Sequence, residues 1–264
     1  MTFKITKINS KDLSNQLNKD IFDGQYSSDI NLLELKKCYL DYVYSNGLDI
    51  CKNKNGNLMV GYQLEWDSNH FGFNCYRIDF LNIKEEFFFE GEIDEYLRKK
   101  NIKLSFLRIN ENDKLNFLIS NHFKHFSSKF MYRRLLENNN CIKSNSVITL
   151  NQLEPKKIDS LIAKILQETP NLFKYNRFFY DKNINREKAV SLYQNWVINS
   201  AKLEKNNFFL LLDNNKKIAA FCILSIINYF TIKVARIDMI GTLNRGKNCG
   251  TKILQEVFSI LNKR

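Results

Sequence analysis

The stretch that decides the fold runs from Thr231 to Lys252, TIKVARIDMIGT followed directly by LNRGKNCGTK. Its first part alternates β-branched and other apolar residues with polar ones, the pattern of a half-buried strand. Gly246 and Gly250 then punctuate a polar turn, and Ile253, Leu254, Val257, Phe258 and Leu261 recur at helical spacing to give one apolar face. A strand that enters such a turn and leaves it as a helix directs several free backbone N–H groups, and the positive end of the helix dipole, at one place. That arrangement suits a pyrophosphate, and Arg245 and Lys247 add charge to it. An ordinary helix cap, with the two glycines serving only to turn the chain, uses the same residues.

Working back from this turn, two further strands are predicted at Asn207–Asp213 (NFFLLLD) and Lys217–Asn228 (KIAAFCILSIIN). The connections DNNK and NY are short enough for antiparallel hairpins. Before them, Ile158, Leu161, Ile162, Ile165 and Leu166 line one face of a helix. Ala189, Leu192, Tyr193, Trp196 and Val197 line a second, predicted over Arg186–Lys202 with Asn185 as its N-cap and its apolar stripe read as core packing. A short β-branched run, Ser146–Leu150, opens the series. The predicted order is strand, helix, helix, three strands, glycine-bearing turn, helix. The polar stretch Glu137–Ser146 reads as a linker, which divides the chain into residues 1–141 and 142–264.

At 264 residues, with 44% apolar and 13% aromatic side chains, the chain can bury one sizeable core or two modest ones. Its longest apolar run, Ile218–Ile227, falls well short of the roughly 20 residues that cross a bilayer. The N-terminus lacks an apolar signal core, so a cytoplasmic protein without a membrane partner is expected. Six scattered cysteines without a CxxC pair fit free thiols, and no Cys/His spacing suits zinc, so no metal is expected. The formal charge of +12 attracts phosphates of any kind. The lysines are dispersed and form no basic arm or recognition-helix motif, which argues against a nucleic-acid partner and leaves a nucleic-acid-binding module resting on charge alone.

The ordered elements together with Arg245-Gly246-Lys247-Asn248-Cys249-Gly250 resemble the R/Q-x-x-G-x-G/A coenzyme A motif of GNAT N-acetyltransferases. The family's fourth motif position is normally glycine, and Asn248 stands there; asparagine tolerates positive φ better than other side-chained residues. Two more segments, Leu64-Glu65-Trp66-Asp67-Ser68 with Phe71-Gly72, and Asn176-Arg177-Phe178-Phe179-Tyr180-Asp181 leading to Tyr193 and Trp196, are similar to the dTDP-fucosamine acetyltransferase group. The resemblance implies a GNAT-like α/β fold, with a mixed, mostly antiparallel sheet flanked by helices and a smaller α/β half-domain in front of it. In that N-terminal half, Lys103–Asn110, an amphipathic helix with Leu115, Leu118, Ile119 and Phe123, and Lys129–Leu136 repeat the order strand, helix, strand. A degenerate half-GNAT that shapes the substrate site and an unrelated α/β cap both fit.

The implied function is transfer of an acetyl group from acetyl-CoA to the amine of a nucleotide-linked aminosugar by direct attack. The implied coenzyme site takes Met239, Ile240 and Gly241 of a splayed strand through their main chain, and Arg245, Gly246, Lys247, Asn248, Cys249, Gly250 and Thr251 of the turn. For the sugar nucleotide, Arg177 offers charge and Phe178 or Tyr180 stacking, with Trp66 and Asp67 as further candidates; each has an ordinary packing role open to it. Asp238 is the carboxylate placed to relieve an amine of its proton through water, or simply to face solvent. The family's tyrosine general acid lies beyond the coenzyme helix, on elements expected after Arg264, so the chain reads as C-terminally incomplete. A different amine acceptor, a non-catalytic coenzyme- or partner-binding protein, and a homodimer are compatible with the same residues.

Overall fold

The computed structural model describes residues 49–52, 58–82, 90–107, 146–229 and 232–262. The chain divides into two compact units, Met1–Met131 and Tyr132–Arg264. The linker expected at Glu137–Ser146, apart from Ser146 itself, the helix carrying Leu115 and Phe123, and the strand expected at 129–136 lie outside the described residues.

In the first unit β1 (Asp49–Lys52), β2 (Leu58–Gln63), β3 (Asn74–Asn82) and β4 (Ile102–Leu107) form a sheet in that order. The first two pairings are antiparallel and β3–β4 is parallel. A parallel pair needs a crossover, which α2 (Glu90–Lys99) provides. The short helix α1 (Glu65–Phe71) lies between β2 and β3 and ends at Gly72, whose φ of 78° is the left-handed stop that glycine accepts without strain. Cys51, Met59, Tyr76 and Ile78 of the sheet close over Ile93 and Tyr96 of α2. Within this core Tyr76 donates to Asp49 Oδ2 at 2.9 Å, and Lys100 Nζ reaches the same oxygen at 2.6 Å.

The second unit carries an antiparallel sheet in the order β5 (Val147–Thr149), β6 (Phe208–Leu212), β7 (Ile218–Tyr229), β8 (Ile232–Thr242). Between β5 and β6 come α3 (Pro155–Leu172), the single turn α4 (Arg177–Tyr180) and α5 (Arg186–Leu203); α6 (Cys249–Leu261) follows β8. The predicted strands and long helices occur in the predicted order, with the single turn α4 and a 3-10 turn at Leu150–Gln152 in addition. Pro155 opens α3, where its missing N–H costs nothing, and Asn185 Oδ1 accepts the Glu187 N–H at 2.7 Å to cap α5. Strand alternation sends Phe209, Leu211, Cys222 and Leu224 to the face covered by Ile253 and Val257 of α6. Phe208, Leu210, Phe221 and Ile223, equally buried, form the other face. The fold is therefore mixed α/β, with a four-stranded sheet and helices in each unit.

Two predicted stripes need correction. Trp196 is 36% exposed instead of packed in the core, because α5 turns Ala189, Leu192, Tyr193 and Val197 inward and leaves the indole at the rim. On α6 the buried set is Cys249, Ile253, Glu256, Val257 and Ser259, with Leu254 and Phe258 only half-buried. The buried Glu256 is accommodated by the Ser146 hydroxyl, which donates to its Oε1 at 2.7 Å.

Burial pushes the Cys51 thiol up to about 11 and, with some help from Asp67 and Asp238 respectively, the Cys75 and Cys222 thiols to about 12. A raised folded-state value means that the folded chain holds its protons longer than the unfolded one. Stability from these thiols is complete below about pH 9 and declines as pH rises from 9 towards 12. Urea midpoints measured at pH 7 and pH 10 should show the loss, and replacing Cys222 with Ala should reduce the alkaline slope.

Candidate functional site

β7 and β8 form the longest pairing of the described structure, from Tyr229↔Ile232 at the hairpin to Ala220↔Thr242 at the far end. The register shifts once. Leu224 faces Ile237 and Ile223 faces Met239, so Asp238 is the extra residue of a β-bulge. The opening expected for this strand is confined to that residue, since elsewhere β8 stays on the β7 ladder. Asp238 does not point freely into solvent: its side chain is 11% exposed, Oδ1 takes the Arg236 Nε–H at 2.6 Å and Oδ2 takes the Ser225 hydroxyl. β8 is also the last strand of its sheet among the described residues, so its outer row of N–H and C=O groups is offered to whatever lies alongside.

The candidate backbone-binding residues follow the bulge. Met239 is buried, Ile240 is 36% exposed and Gly241 is buried. Gly241 is required by packing, because a Cβ there would stand 2.5 Å from the Phe221 ring. The chain then leaves the sheet under tight control: the Ala219 carbonyl accepts the N–H of Leu243 at 2.8 Å and that of Asn244 at 3.1 Å.

Arg245, Gly246, Lys247 and Asn248 make the turn, all exposed. Gly246 has φ of 76° with open space where a side chain would be, and Asn248 holds φ of 56° as the N-cap of α6. Asparagine thus occupies a left-handed position that most side-chained residues avoid. The Asn248 side chain forms no cap bond, and the first bond of the helix is Lys252 N–H to the Asn248 carbonyl at 3.1 Å. The N–H groups of Cys249, Gly250 and Thr251 stand ahead of that bond and point out of the helix end. A Cβ at Gly250 would meet only the Thr242 methyl, at the 3.4 Å of ordinary van der Waals contact. Cys249 contributes its N–H alone, its buried thiol being turned towards the Lys247 carbonyl at 3.6 Å. Exposed Lys247 and Lys252 flank the donors, while Arg245 reaches back to the Asn171 carbonyl at 3.0 Å and ties the turn to the end of α3.

The other sequence candidates lie in two further places. At the α3–α5 corner Phe173 stacks on Tyr193 at 4.6 Å, and Trp196 lies 6.3 Å from Tyr193 at 24°. Phe178 belongs to this cluster and is 5% exposed, with the Arg177 guanidinium 4.7 Å over its ring. That burial leaves it no face for a ligand, which corrects its assignment as a stacking residue. The aromatic faces open at this corner are those of Tyr175, Tyr180 and Trp196. Sequence reading missed Tyr175 and assigned Trp196 to packing, because helical spacing alone does not locate the rim of a stripe. In the first unit Trp66 is 43% exposed and stacks on His70 at 5.9 Å, and Asp67 is half-buried beside Cys75. No group of His, Cys, Asp and Glu able to hold a metal ion occurs among the described residues, and none of the described helices is long and apolar enough to cross a membrane.

No protein-family model matches the chain, and no curated protein does. Among solved structures it is similar to a fungal multi-domain GH3 β-N-acetylglucosaminidase with a GCN5-related glucosamine N-acetyltransferase region, at 11% identity and a TM-score of 0.46. The match covers 99% of this chain, which spans about a third (34%) of that protein's length.

Substitutions at two positions separate packing from turn geometry. Gly241→Ala should lower unfolding stability by about 1–3 kcal/mol through the forced shift of Phe221. Asn248→Ala should cost about 1 kcal/mol while Asn248→Gly is tolerated, because only the alanine is strained at positive φ. Thermal and urea unfolding of the three variants checks both.

Proposed function

We propose that the β8–α6 turn binds the pyrophosphate of acetyl-CoA and that the protein is an N-acetyltransferase. The observation that carries this reading is the set of three N–H groups ahead of the first hydrogen bond of a 13-residue helix, directly behind a bulged strand that is the last of its sheet among the described residues. The helix dipole and the flanking Lys247 and Lys252 supply the charge a diphosphate needs. The edge of β8 at Met239–Gly241 offers main-chain groups to the amides of a pantetheine arm, in the manner of a strand added to a sheet. When bound, acetyl-CoA would supply the activated acetyl thioester. A backbone N–H at the bulge would polarise its carbonyl, and Asp238, oriented by Ser225 and Arg236, would take the amine's proton through water as the C–N bond forms; the C–S bond would then break, with coenzyme A leaving as a thiolate that takes up that proton from water. A carboxylate keeps lone pairs beyond the two engaged here, so the ion pair orients Asp238 without exhausting it.

For the acceptor we propose a nucleotide-linked aminosugar. Tyr180 and Trp196 offer faces for a base, and Arg177 offers charge for the diphosphate. The resemblance of Asn176–Asp181 and Leu64–Ser68 to the dTDP-fucosamine acetyltransferases supports the same choice.

Calorimetric titration with acetyl-CoA tests the coenzyme site. Micromolar affinity is expected (about −8 kcal/mol at 1 μM), with at least a tenfold loss in both Lys247→Glu and Gly250→Trp at unchanged far-UV circular dichroism. Absence of binding by the unaltered chain, or equal affinity in both variants, would overturn the assignment. Binding without acetylation of any aminosugar would leave a coenzyme-binding protein in its place.

A further inference from the structure

We infer that the first unit carries a binding site for a saccharide with free hydroxyls and an ammonium group, in the open cleft between α1 and the adjoining ends of β2 and β3. The cleft measures about 510 Å³, within the range of roughly 300–1,000 Å³ typical of small-molecule sites. Its chemistry departs from that of the chain as a whole. The sequence has 40 Lys and Arg against 28 Asp and Glu, yet none of the lining residues is basic and one of them, Glu65, is acidic. That lining disfavours a phosphate and favours a neutral or cationic ligand.

The walls are set before a ligand arrives. Ser68 Oγ accepts the Cys75 N–H at 2.9 Å and donates to the Leu64 carbonyl at 2.7 Å, which pins α1 to the start of β3. Asn74 accepts from Gln63 Nε2 at 3.3 Å and donates to the Lys100 carbonyl at 3.2 Å, so its amide is locked and the Gln63 amide is oriented by it. Among the described residues this leaves Gln63 Oε1, the Asn69 amide and the Glu65 carboxylate without a protein partner. An amide offers a donor and an acceptor side by side, which matches neighbouring hydroxyls, and a carboxylate matches an ammonium. Phe73, stacked on Phe71 at 5.8 Å, supplies an apolar wall for the C–H face of a sugar ring.

This site is separate from the proposed coenzyme site and its test uses no coenzyme, so the failure of one reading leaves the other standing. The full chain, labelled with ¹⁵N, is titrated with glucosamine, glucose and glucose 1-phosphate while the side-chain amide signals of Gln63 and Asn69 are followed. Glucosamine should shift both signals saturably, and glucose 1-phosphate should bind at least tenfold more weakly. Glu65→Gln should weaken glucosamine by about tenfold, the loss of one charge-assisted hydrogen bond, and leave glucose unchanged, whereas Asn69→Ala should weaken both. Both residues are exposed, and an unchanged unfolding midpoint confirms that each variant is folded. Absence of a saturable shift, an equal response to glucose 1-phosphate, or unchanged glucosamine affinity in Glu65→Gln would overturn the assignment.

Discussion

A single carbonyl holds the candidate site together. Ala219 C=O, at the start of β7, accepts two consecutive N–H groups, those of Leu243 and Asn244, at the point where β8 leaves the sheet. These two hydrogen bonds to one acceptor end the β7–β8 ladder at Thr242 and set the direction in which Arg245–Asn248 turn. The start of α6, and with it the three outward N–H groups, follows from that direction. The same end of the sheet is packed on both faces, by Cys249 and Ile253 on one and by Phe221 against Gly241 on the other. The turn is exposed, but its two ends are not free to move independently of the core.

The charge pattern around this anchor is uneven in a useful way. At the turn the cations Lys247 and Lys252 are exposed, while Arg245 is spent on the Asn171 carbonyl and works as a tether. At the bulge the sign reverses, with Asp238 nearly covered and clasped by Arg236 and Ser225. The α1 cleft repeats the second of these signs in the first unit, where Glu65 stands without a neighbouring lysine or arginine in the lining.

Much of this was legible in the sequence, for identifiable reasons. Short hairpin connections, long apolar strand runs and an N-cap asparagine at 185 are local signals, and the second unit follows them element by element. The positive φ of Asn248 was anticipated from its standing where the resembled motif normally has glycine, since asparagine tolerates that region better than other side-chained residues. The bulge at Asp238 was not legible, since it depends on which residue of β7 each residue of β8 faces. Nor was the burial of Phe178 against the exposure of Trp196, because both lie within aromatic segments and only the packing of α5 on its neighbours decides which ring reaches the rim. The α1 cleft arises from hydrogen bonds between residues of two strands and a helix, and no periodic pattern announces such a site.

The most direct measurement is a crystal structure of the chain with acetyl-CoA. The account predicts the pyrophosphate within hydrogen-bonding distance of the N–H groups of Gly250 and Thr251, with the pantetheine arm running along the β8 edge past Met239 towards the bulge. Coenzyme bound at another place, or a diphosphate held by side chains while the end of α6 stays solvated, would contradict it.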